Sequence, residues 1–348
     1  MGRLSWGWVQ LLLAGVLALV VVLALSAGSF FFPPSEIARF AKEGLGLVPT
    51  NVDQLLDRNV FVTLRLPRVL LCGVTGATLG LSGALMQGLF RNPIVEPGLA
   101  GTSAGAALGA SSVFVFGNGA LAFTAPLGTA AVPIMAFVGG LIATMLVYRI
   151  ASLFGKTDVL ALLLAGIAVN AACNAGTGFL SYIARDPQAR SITFWSLGTF
   201  TTADWRGSLL VSAVFVPCLV LVLRRGKDLN ALMLGEDDAA FLGLDPDRFV
   251  LRLLILNTLM VSVATALVGV ISFVGLIVPH MMRLLRSSDY RFLLPASALC
   301  GAALMELVDV VARLVIRPAE LPVGIITALI GAPLFLWILL GYRRRMAG

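Results

Sequence analysis

Apolar runs of about 20 residues follow one another from end to end of this chain, and each is long enough to cross a bilayer as a helix. In hydrocarbon every backbone polar group needs an internal partner, so such runs fold as helices, and a β-barrel would show alternation instead of continuous runs. Only 12% of the 348 residues are charged, against about 25% in an ordinary soluble domain. The fold class expected is an all-α polytopic membrane protein, a single domain over residues 1–348 with no separate soluble part.

Ten spans are expected: 8–32, 61–84, 94–113, 122–148, 157–183, 206–223, 248–270, 273–286, 292–312 and 321–341. The first apolar run, Val9 to Phe32, is too long for a signal-peptide core and no small-residue cleavage site follows it, so it reads as a retained helix. The runs 94–113 and 273–286 are short and glycine-rich, as interrupted segments at transporter sites tend to be. An even number of spans puts both termini on one side. Placing that side in the cytoplasm assigns 15 of the 25 Lys and Arg residues to it, including the Arg343-Arg344-Arg345 tail and the Arg224-Arg225-Gly226-Lys227 cluster. Both termini are therefore expected to be cytoplasmic. In an outer segment, 33–60, Ser35 is a candidate cap for a short helix through Arg39 and Phe40. Trp195 and Trp205, in the outer segment 184–205, read as headgroup-layer residues.

Residues 229–246 are polar and amphipathic, broken at Gly235 and Gly243, and unlike anything else in the chain. They predict one or two stubby helices on the basic side, displayed to a soluble partner. Cys72, Cys173, Cys218 and Cys300 lie far apart inside apolar runs, without metal or disulfide spacing, and read as small buried hydrophobes. Glycines at intervals of three and four (Gly73, Gly76, Gly80, Gly83; Gly101, Gly105, Gly109) predict close helix packing.

No Walker loop, G-x-S-x-G, zinc spacing or CxxC is present, so the chain is not expected to be an enzyme. His280 follows Pro279 near an inner helix end and reads as a residue satisfied by backbone. Glu306 and Asp309 share one helix face, either as a functional pair or as part of an internal ion pair. One pair of carboxylates makes no charge relay, which disfavours a proton- or sodium-driven carrier. Arg65, Arg68, Arg313 and Arg317 all fall at outer helix ends, where they would form a basic ring around the outer mouth or snorkel to the interface.

Several stretches, taken in order, resemble one family. Leu64-Arg65-Leu66-Pro67-Arg68 is followed by Gly80 to Phe90 and then by Arg91-Asn92-Pro93-Ile94-Val95-Glu96-Pro97-Gly98. Leu232 to Glu236 and Leu242-Gly243-Leu244 come next, then Phe273 to His280, Glu320-Leu321-Pro322-Val323-Gly324 and Gly331-Ala332-Pro333. From about residue 60 to 340 the chain is similar to the FecCD-type permeases, the membrane subunits of ABC importers for ferric siderophores, haem and cobalamin.

The resemblance implies a type II ABC importer permease architecture with ten helices per subunit, a homodimer with the pathway on its two-fold axis, and a place in the bacterial inner membrane. It implies two ABC ATPase subunits that use ATP and dock at the coupling loop, with Leu234, Gly235, Glu236, Asp237 and Gly243 in contact. A periplasmic binding protein would present acidic residues to Arg65, Arg68 and Arg313. Asn92, Ile94 and Thr157 match positions near the inner gate. No permanently bound cofactor, metal or nucleic acid is implied. The run from Arg91 to Ala110 is most like haem-type members; a ferric siderophore or cobalamin is the alternative cargo. A secondary carrier without an ATPase is the competing class, supported by the polytopic bundle alone.

Overall fold

The computed structural model describes residues 5–28, 30–49, 55–117, 119, 121–153 and 159–346. Among these, seven helices are long and apolar enough to cross a membrane: Trp6–Ser26, Leu55–Leu89, Pro126–Ala151, Val159–Ile183, Trp205–Leu223, Pro246–Val268 and Tyr290–Leu314. Three shorter apolar helices, Thr102–Phe116, Val274–Leu285 and Val323–Trp337, fall at the remaining expected spans. The all-helical fold class is as the sequence predicts.

In chain order the helices are α1 (Trp6–Ser26), α2 (Pro34–Gly44), α3 (Leu55–Val60), α4 (Leu66–Leu89), α5 (Thr102–Phe116), α6 (Ala131–Ala151), α7 (Val159–Ile183) and α8 (Asp186–Ser196). They continue with α9 (Trp205–Leu223), α10 (Gly226–Leu232), α11 (Glu236–Phe241), α12 (Pro246–Val268), α13 (Val274–Leu285), α14 (Tyr290–Leu314) and α15 (Val323–Met346).

The axis of the bundle is α4. Its Leu81, Leu85 and Met86 are wholly buried, and α14, α13, α9 and α12 pack around it. Close approach depends on glycine. A Cβ on Gly83 would overlap the Gly275 carbonyl of α13, and one on Gly76 would overlap the Gly301 carbonyl of α14. Without much apolar driving force between helices in lipid, such backbone contact is what gains dispersion energy. Outer faces stay apolar and exposed, as Leu19 of α1 and Leu209 of α9 illustrate.

Several boundaries differ from the sequence reading, each for a local reason. The expected span 94–113 is a helix only from Thr102. Residues 97–100 form a 3₁₀ turn that ends at Gly101, whose φ of 87° breaks the helix. The span expected at 122–148 likewise opens as 3₁₀, Ala122–Ala130, before α6. Ser35 is not a cap: Pro34, with no N–H to leave unsatisfied, takes the first position of α2 and starts it two residues earlier than a Ser35 cap would. Cys72, Cys173 and Cys218 are buried as expected, but Cys300 is only partly so.

α3 runs into α4 through a π-turn, Phe61–Arg65, in which the Leu66 N–H donates to the Phe61 carbonyl. Pro67 lacks an N–H, so the helix loses a rung there, and the wider turn occurs immediately before it. The π-turn ends on Arg65 and lies three residues before Arg68.

Candidate coupling and docking sites

At one end of α4 lie α10 and α11. The two breaks expected in this segment are present: Gly235 has φ 137° and Gly243 φ 85°, both open to glycine at little cost. Asp245 caps α12 by accepting from the Arg248 N–H at 3.1 Å. Leu229 and Leu232 of α10 and Ala239 of α11 anchor the pair in the core. Leu234, Phe241 and Leu242 are left outside, 68%, 67% and, for Phe241, 90% exposed. Glu236, Asp237 and Asp238 fill the first turn of α11, where carboxylates complement the helix dipole.

Side-chain contacts tether this segment to the bundle. Arg91, in the turn after α4, lies 2.6 Å from Glu236. The Asn230 amide donates to Asp289 at 2.9 Å, and the Asn230 carbonyl oxygen accepts from the Tyr290 N–H at 3.0 Å. Asp289 also accepts from Arg291, which holds its carboxyl down at about 2. One turn further in, Arg283 of α13 donates to the side-chain oxygen of buried Gln87. Of the expected gate residues, Asn92 accepts from the Ile94 N–H at 3.0 Å within the turn after α4, and both are partly buried. Thr157 lies outside the described residues.

At the opposite end of α4 the arginines do not form an open rim. Arg65 is 8% exposed and Arg313 4%. Both donate to the Ala27 carbonyl at the C-terminus of α1, and Arg313 also reaches the Ala24 carbonyl at 3.1 Å. Arg65 donates to Phe30, and Arg317 to Gly28, each at 3.0 Å. The final carbonyls of a helix have no partner within it and carry the negative end of its dipole, so guanidinium groups gather there. Arg68 is ion-paired with Asp309 at 2.8 Å and with Glu320 at 2.9 Å, and Arg313 pairs with Asp309 at 3.0 Å. The basic ring read from the sequence is thus a largely buried network that joins α1, α4, α14 and the approach to α15. The ring reading failed because helix-end position says nothing about which way a side chain turns. Asp309 lies four residues before Arg313, and that spacing was the available signal for the pair.

Between the two ends, the chain crosses the bundle in broken segments. Phe273, at φ 69°, opens α13, and its N–H donates to Glu96 at 2.7 Å. Glu96 therefore closes the N-terminus of one short helix from the turn that leads into another. Sequence reasoning gave neither residue a role, because a left-handed phenylalanine has no local signature. Asn170 of α7 donates to the Gly98 carbonyl at 3.0 Å and holds the same turn from the other side.

Residues 16–341 match the model of the FecCD transport family. The chain is 41% identical over 292 residues to the hemin transport system permease protein HmuU of Yersinia pestis, covering 83% of this chain and 86% of that one. It is 43% identical over 278 residues to the vitamin B12 import system permease protein BtuC of Salmonella paratyphi A, covering 80% and 82%. Among solved structures it superposes on an inward-facing conformation described as of metal-chelate ABC transporter type, with TM-score 0.82 and 31% identity over 96% of this chain and 99% of that one. PsaBC of Streptococcus pneumoniae, solved in complex with Fab, shares the fold at TM-score 0.54 and 18% identity.

Proposed function

This chain belongs to the FecCD transport family and is a multi-pass permease of an ABC importer, and from that premise we propose that it imports haem across the bacterial inner membrane as a homodimer. The observation that carries the cargo is the match to a hemin permease over most of both chains. A vitamin B12 permease matches at similar identity, so cobalamin is the specific second reading.

The ATPase docks, in this proposal, on α10 and α11. What supports it is an exposed apolar trio, Leu234, Phe241 and Leu242, beside the acidic turn Glu236-Asp237-Asp238. Apolar anchors within a charged rim are the usual anatomy of a protein interface. Gly235 and Gly243 set the angle of α11, and Arg91–Glu236 passes its displacement to the end of α4. Asn92, Ile94 and Thr157 belong to the proposed inner gate. ATP drives the cycle to the extent that the ATP-bound partner binds one permease conformation better than another.

Binding-protein docking at Arg65, Arg68 and Arg313 remains part of the proposal. Its support is a surplus of positive charge: these three and Arg317 stand against Asp309 and Glu320. Acidic groups on the partner would compete with Glu320 for Arg68, the least enclosed of the three, and so act on the approach to α15.

The test is uptake into proteoliposomes that hold this chain, its ATPase and its binding protein, with hemin as cargo and cobalamin and a ferric siderophore as competitors. ATP-dependent hemin uptake that ignores both competitors is expected. Cobalamin uptake that ignores hemin would overturn the cargo.

A further inference from the structure

Glu306 is fully buried on α14, and neither of its carboxylate oxygens has a hydrogen-bond partner. Arg68, Arg313 and the Gly73 backbone act on it without closing a hydrogen bond. Asp309, one turn on, is taken up by Arg68 and Arg313. Gly73 of α4 faces it, and a Cβ there would lie 3.1 Å from Oε1, so the missing side chain is what leaves room for the carboxyl. An unsatisfied buried carboxyl is costly and persists where something compensates for it.

Glu306 lines an open-sided cavity of about 520 Å³ between α1, α4, α9 and α14. The other walls are apolar, among them Val21, Leu70, Phe215 and Ala302, with Trp205 also on the lining. The lining extends from Leu66 to Ala77 along α4, about 16 Å at the α-helical rise. A volume in the range of small-molecule sites, apolar walls and a single polar group are the usual features of a ligand pocket. Both α1 and α9 turn exposed leucines outward, Leu19 and Leu209 among them, so what reaches this cavity comes from the hydrocarbon of the bilayer.

We propose that this cavity is a binding site for a membrane-dissolved amine, an aliphatic chain carrying one basic nitrogen that pairs with the Glu306 carboxyl. Amine chemistry fits because it satisfies Glu306 in either protonation state. An ammonium N–H donates to the carboxylate; a neutral acid O–H donates to the amine nitrogen. An ionised fatty acid or a carbonyl compound offers only acceptors and satisfies only the protonated carboxyl. The apolar walls take the chain. The site is separate from α10 and α11 and from the proposed cargo, so it stands or falls independently of the haem reading.

The experiment uses the full chain in lipid nanodiscs and follows quenching of tryptophan fluorescence by a terminally brominated alkylamine. A brominated carboxylic acid and a brominated phospholipid serve as controls. Trp205→Phe identifies the signal that arises in the cavity. The amine is expected to quench saturably and at lower concentration than the acid. Glu306→Gln, close to isosteric, should weaken amine binding about tenfold or more and leave phospholipid quenching unchanged. Ala302→Phe should fill the cavity and abolish saturable quenching without touching the carboxyl. Equal quenching by amine and acid, indifferent to Glu306→Gln, would show that bilayer chains alone occupy the cavity and would overturn the proposal. Absence of Trp205 quenching by any brominated probe would show the cavity covered, as by a second copy, and would overturn it too.

Discussion

Arg91 and Glu236 stand 2.6 Å apart, one in the turn that ends α4 and the other at the first position of α11. Arg91 takes φ 50° and Glu236 follows Gly235, so both backbones are bent at the point where the side chains meet. Each side chain is about one-third exposed, and an ion pair this wet contributes at most about 1 kcal/mol to stability. It ties the displayed helix to the axis of the bundle, and in the proposed coupling its value is mechanical.

Reversing either charge, Arg91→Glu or Glu236→Arg, is therefore expected to leave folding intact and to lower cargo moved per ATP hydrolysed several-fold. The double reversal should recover most of that loss. Uptake and phosphate release measured in the same vesicles check it, and an additive double variant would count against the tether.

Asp309 is the shared anion of Arg68 and Arg313. Asp309→Asn leaves two guanidinium groups short of a counter-charge in a closed site, and breaking such a pair typically costs about 3–5 kcal/mol. Thermal unfolding in mild detergent should show a lowered midpoint for Asp309→Asn. Glu320→Gln, whose carboxyl is 26% exposed, should cost clearly less. Equal losses from the two would contradict the central place given to Asp309.

Gly83 and Gly15 form a matched pair of tests. A methyl on Gly83 meets the Gly275 backbone, which cannot swing aside, whereas Gly15 of α1 has nothing within 4 Å of its would-be Cβ. Gly83→Ala is expected to destabilise by about 1–3 kcal/mol through overpacking. Gly15→Ala should be neutral or slightly stabilising, since alanine is the better helix former. Thermal midpoints of the two variants decide the point.

Asp289 joins α10 to α14, and its carboxyl is held near 2 by Arg291 and Asn230, below the ordinary 3.8. A depressed folded-state value adds stability above the ordinary value and loses it as pH falls toward 2. The midpoint difference between wild type and Asp289→Asn should thus be constant from neutral pH down to about pH 4 and shrink below it. A difference that grows on acidification would reverse the sign and refute the assignment.

Much of this organisation is legible in the sequence, and the exceptions share a cause. Apolar run length locates the helices because hydrocarbon leaves the backbone no other choice. Gly235 and Gly243 mark the ends of α11 because the chain needs positive φ there. The 229–246 segment stands out because its polarity breaks the pattern on either side. The structural roles of Arg65 and Arg313 were not legible. They depend on the C-terminus of α1, about 40 and 290 residues away in sequence, and on which way a side chain turns. The Glu96–Phe273 and Gln87–Arg283 contacts are hidden for the same reason: each joins segments nearly 200 residues apart with no local pattern at either end. The glycines of α4 announced close packing without naming the partner, which proved to be the backbones of α13 and α14.

The most direct test of the account is to place a charge on the displayed face of α11 and of the turn before it. Phe241→Asp and Leu234→Asp alter side chains that touch solvent, so the permease should fold with an unchanged thermal midpoint. In proteoliposomes with the ATPase and binding protein, both variants are predicted to lose ATPase co-assembly and ATP-dependent uptake together. Full uptake with the ATPase still bound would contradict the coupling site, and uptake without ATP would contradict the account as a whole.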